Sequence, residues 1–106
     1  MGSNKLKILA PAQNPHICFV DRKYKNAIQE LKQVTGKTFY SLLCTCANCR
    51  LNNKENIKKF KEHVRGLGYK NIGDWAEHLI VYLYDRIDSL NEIDLSKITL
   101  KKEVRE

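Results

Sequence analysis

Residues 53–90 read NKENIKKFKEHVRGLGYKNIGDWAEHLIVYLYDRIDSL, and this stretch decides the architecture. Ile57, Phe60, Val64 and Leu67 recur at helical spacing, which predicts a helix over 53–67. Lys54, Lys58, Lys61 and Arg65 form a second stripe about 110° around the same helix, taking 100° per residue. A lysine stripe of this kind is usually just a solvated face. Gly68 ends the helix in the left-handed region, and Tyr69-Lys70-Asn71 is a turn. Asp74 is the expected cap of a last long helix, over about 74–90. Its apolar set is Trp75, Ala76, Leu79, Ile80, Leu83, Ile87 and Leu90, widened by Tyr84. So broad an arc requires burial on two sides, either between neighbouring helices or in a dimer.

Working outward, Asn52-Asn53 marks a break before this unit. Residues 38–51 fit two readings. Phe39, Leu42, Leu43 and Cys46 share one helical face, whereas Thr38, Phe39, Tyr40 and Thr45 favour a strand. Upstream, Tyr24, Ala27, Ile28, Leu31 and Val34 predict a helix over 22–35, capped by Asp21 and stopped by Gly36. Leu6, Ile8 and Ala10 alternate as in a short strand, and His16 to Val20 is a second candidate beyond Pro15. Residues 91–106 alternate around Ile93, Leu95, Ile98 and Leu100, as in a tail or late edge strand. The expected fold is α+β and mostly helical, in one domain over 1–106. It has an N-terminal strand or arm at 1–21, then strand-helix-helix at about 47–90 and a C-terminal tail.

Length and composition agree. At 106 residues the chain suits one core. Hydrophobic residues make up 42% and charged residues 29%, a folded balance. The longest apolar run, Leu79 to Tyr84, is too short to span a bilayer. No charged-then-apolar leader opens the sequence, so an intracellular, cytoplasmic protein is expected. The net charge of +7 is uneven: residues 1–73 carry +10 and residues 74–106 carry −3. A basic body points to a polyanionic partner, DNA or RNA, although lysine-rich genomes make basic proteins without such a purpose.

No phosphate loop, HExxH or nucleophile elbow is present, and no enzyme activity is expected. His63 and His78 read as boundary residues. The one chemical cluster is Cys44-Thr-Cys46-Ala-Asn-Cys49, with His16-Ile-Cys18 upstream. Cys46 and Cys49 have knuckle spacing, and Cys44 with Cys18 or His16 would complete a tetrahedral zinc site. The alternative is that these cysteines simply pack as small apolar side chains.

Residues 48–90, a short segment followed by two amphipathic helices around a glycine-capped turn, resemble the ribbon-helix-helix family of DNA-binding proteins. The best local match is Gly68-Tyr69-Lys70-Asn71 followed by Trp75, Leu79 and Leu83. The resemblance implies a strand at about 47–51 that pairs with its twin in a homodimer and enters the major groove. Asn48 and Arg50 would then read bases, with Cys46 beside them. Lys54, Lys58, Lys61, Arg65 and Lys70 would supply backbone contacts. The implied role is transcription regulation without a cofactor or small-molecule substrate. The competing reading is a zinc-stabilised RNA- or protein-binding module, such as a viral or mobile-element factor that blocks a host protein.

Overall fold

The computed structural model describes residues 4–11 and 15–101. The protein is α+β and mostly helical, as expected. Two strands, β1 (Lys5–Leu9) and β2 (His16–Asp21), form an antiparallel hairpin. Four helices follow: α1 (Lys25–Thr35), α2 (Phe39–Ala47), α3 (Lys54–Gly66) and α4 (Ile72–Tyr84). Short 3-10 turns cover Arg22–Tyr24, Ile87–Glu92 and Leu95–Lys97.

Each boundary has a local cause. The Asp21 side chain accepts from Lys23 N, and Gly36 at φ +70 stops α1. Thr38 caps α2 and Asn53 caps α3, each accepting from the amide three residues on. Asn71, not Asp74, caps α4. Its side chain accepts from Asp74 N at 2.9 Å, while Asp74 accepts from Lys70 N at 3.1 Å. The reciprocal pair satisfies two amides and starts the helix two residues earlier than the sequence suggested. Beyond Tyr84 the helix gives way to 3-10 geometry, so the expected span to 90 is shortened. The tail forms no strand among the described residues. Leu90, Leu95 and Leu100 are instead buried as separate anchors.

The ambiguous stretch 38–51 is helical over Phe39–Ala47. Leu42 and Leu43 are completely buried and Phe39 and Cys46 nearly so, which is the helical reading of that segment. This corrects the expected strand at 47–51. Ala47 is the last residue of α2, Asn48 takes the left-handed C-cap at φ +57, and Cys49 to Leu51 is loop. The chain turns there because Leu51 enters the core while the Asn48 amide closes the helix onto Cys44 and Thr45 carbonyls.

The core gathers Val20, Leu31, Leu42, Leu43, Leu51, Val64, Leu79, Ile80 and Leu83, all with no exposure. Trp75 packs edge-on against Phe60 at 4.7 Å. The broad apolar arc of α4 is covered within the chain, by β2, α1 and α3. The close approach of α4 to β2 depends on Gly73. A Cβ there would lie 2.1 Å from the Phe19 carbonyl oxygen. Asp21 N donates to Glu77 Oε2 at 2.6 Å and fixes the same junction. Among the described residues, no helix is long and apolar enough to cross a membrane.

Candidate nucleic-acid interface

Docking the hairpin against α4 opens a groove of about 580 Å³ beside the α3–α4 corner. One wall is β2, with His16 and Phe19. The other carries Ile57 and Lys61 of α3, and the floor is the turn into α4 from Lys70 to Asp74, with Glu77. Helical geometry explains why α3 contributes both an apolar and a cationic side chain. Ile57 lies at the edge of the apolar stripe nearest the lysines, and Lys61 is the lysine closest to it around the helix.

The four cations of that stripe, Lys54, Lys58, Lys61 and Arg65, are all exposed. None makes a side-chain ion pair with another described residue, and neither does Lys70. Lys59, on the opposite flank, is paired with Glu55 at 3.5 Å. The helix therefore presents one face of cations held in no ion pair with a described residue. The acids on the groove floor are partly engaged: Asp74 holds the Lys70 amide and Glu77 holds the Asp21 amide.

Two expected DNA readers lie elsewhere. Asn48 is a structural cap, and its Nδ2 donates to the Ser96 carbonyl at 3.0 Å, tying α2 to the tail. Arg50 lines a separate groove of about 350 Å³ with Lys37, Tyr40, Cys44 and Asn52. Its carbonyl accepts from Asn56 Nδ2 at 2.8 Å. With no strand at 47–51, these side chains are not presented in alternation along a ribbon. Of the expected contacts, the structure brings Lys61 and Lys70 to one groove, with the rest of the α3 stripe alongside.

The cysteines are likewise divided. Cys18 faces the core from β2, where burial, and Glu77 secondarily, push its thiol up to about 12. Cys46 is buried in α2, and burial raises it to about 11. Cys44 is half-buried, and its Sγ accepts from Leu51 N at 3.3 Å. Cys49 is half-buried and also raised, chiefly by burial. Among the described residues, no three His, Cys, Asp or Glu side chains gather as a metal site. Helix formation through Ala47 accounts for this, because it turns Cys46 inward instead of folding Cys46 and Cys49 into a knuckle. His63 is exposed and stacks on Phe60, and His78 meets the Tyr69 hydroxyl at 2.5 Å.

Sequence reasoning did not single out Phe19. Strict alternation would place Phe19 with Ile17 on one face. A register shift between Ile8 and Leu9 breaks the alternation at Ile17, which turns inward beside Cys18, while Phe19 alternates regularly with buried Cys18 and Val20 and faces out, 47% exposed. Nothing in the local sequence marks that bulge. Comparison with known proteins gave no matching family model, no similar curated protein and no similar solved structure.

Proposed function

We propose that the protein binds nucleic acid through the basic face of α3 and the adjoining groove. The observation that carries this reading is the row of four cations on one rigid helix, without ion-pair partners among the described residues, beside Lys70. From Lys54 to Arg65 the row runs about 16 Å at 1.5 Å per residue, roughly five phosphate steps of a strand at 3.4 Å each. Cations so placed displace condensed counterions, which is the main source of backbone-directed affinity. Most of the opposite charge lies elsewhere: residues 74–94 contain six acids and one arginine, of which only Asp74 and Glu77 line the groove, each holding a backbone amide. This polarity orients the basic face toward a polyanion.

With Asn48 and Arg50 outside the groove, the binding is dominated by phosphate contacts and not by base readout. The homodimer implied by a shared ribbon is not required, because α4 finds its partners within one chain. The test is DNA and RNA affinity across a salt series. A variant with Lys54, Lys58, Lys61 and Arg65 all changed to Gln should flatten the salt dependence by roughly 3 in log K per log salt. Equal affinity and equal slope in the variant would overturn the proposal.

A further inference from the structure

We infer that the strand taken by this groove is single-stranded, with a base stacked on Phe19; this rests on the nucleic-acid reading above and deepens it. One exposed phenylalanine is ordinary on a protein surface. The surroundings of Phe19 are not. Its ring lies 4.5 Å from that of His16, tilted by 49°. Lys7 stands directly across the hairpin, because Lys7 and Phe19 are register partners and paired residues share a face. Leu9, also exposed, stands opposite His16. The outer face of the hairpin thus carries an aromatic and apolar patch edged by Lys7, with the Lys5 and Asp21 pair beyond it.

The patch is continuous with the phosphate-binding wall. His16 and Phe19 line the same groove as Lys61 and Lys70. A strand running along the lysines would bring its bases to the hairpin. Bases in a duplex are already stacked on one another and offer no free face to a ring. A single strand does, and a charged groove flanked by aromatic side chains is the physical arrangement that binds it without regard to sequence. Gly73 keeps the two walls in place by letting α4 approach the Phe19 backbone. DNA and RNA single strands share this chemistry, and a difference between them would report contacts to the 2′-hydroxyl.

The experiment is fluorescence anisotropy with the full chain at about 50 mM salt, using labelled oligonucleotides of about 12 nucleotides. The probes are oligo-U RNA, oligo-dT DNA and a duplex of equal length. The variants are Phe19→Leu, which keeps an apolar side chain at an exposed site, and Phe19→Trp. The single strands should bind more tightly than the duplex. Phe19→Leu should weaken single-strand binding by roughly 5- to 150-fold and leave the duplex unchanged, and Phe19→Trp should retain it. Equal binding of strand and duplex, or no effect of Phe19→Leu, overturns the stacking inference while the basic face stands. No binding of any probe overturns both.

Discussion

Gly73 offers a sharp test of how the groove is assembled. Alanine there would put Cβ 2.1 Å from the Phe19 carbonyl oxygen, whereas real Cβ contacts essentially never fall under 3.0 Å. The neighbour is backbone, so it cannot swing aside, and β2 must part from α4 by roughly 1 Å. Overpacking of this kind costs about 1–3 kcal/mol. Replacing glycine in a helix returns less than about 1 kcal/mol, since Gly73 sits in the first turn. The net expectation is a loss of about 2 kcal/mol. Gly66 is the internal control. It lies in α3, and a Cβ there meets nothing within 4 Å. Gly66→Ala, at the last residue of α3, should therefore stabilise by about 0.5 kcal/mol. Urea and thermal unfolding followed by the single, buried Trp75 read both variants. They should move in opposite directions, with melting temperatures separated by roughly 10 °C. A Gly73→Ala protein as stable as the parent would refute the packing of α4 on β2 described above.

Asn48→Ala should destabilise by about 1 kcal/mol, because it removes both a residue that tolerates φ +57 and the bond to Ser96, yet leave nucleic-acid affinity unchanged. The cysteines predict a pH effect with a definite sign. Cys18 and Cys46 rise from 9.0 to about 12 and about 11 on folding. The folded state thus holds protons that the unfolded state has lost. Stability is at its full value below pH 9 and falls as pH rises toward 11 and 12, by up to about 1.4 kcal/mol per pH unit for each thiol. Thermal melts from pH 8 to 11 should show this decline, and a Cys18→Ala/Cys46→Ala variant should flatten it. Thiol titration of the native protein should find Cys44 and Cys49 reactive first, with Cys18 and Cys46 following only on unfolding and chelator leaving that order unchanged.

The sequence carried the helices well where polar caps and apolar stripes coincide. Gly36 and Asn53 bound α1 and α3 within a residue or so of expectation, whereas Asp21 caps the 3-10 turn Arg22–Tyr24 and α1 itself begins three residues later than expected. The strands were legible from Leu6, Ile8 and the His16 to Val20 run. Segment 38–51 was not, because its residues suit either structure and only the burial of Leu42, Leu43 and Leu51 decides it. That long-range packing removed the ribbon and separated the cysteines. The candidate site was legible in part. The α3 lysines follow directly from spacing, but Lys70 joins Lys61 only through the turn at 67–71. Phe19 faces out by regular alternation with Cys18 and Val20, but the bulge that turns Ile17 inward, which the sequence does not announce, obscures that pattern in the His16 to Val20 run.

The most direct measurement is a nitrogen-15 NMR titration of the labelled protein with a single-stranded oligonucleotide. Amide shifts should concentrate on residues 5–7, 16–19, 54–65 and 70–73 and leave 85–97 unmoved. Shifts clustered on the acidic stretch or around Arg50, or none at all, would contradict the account.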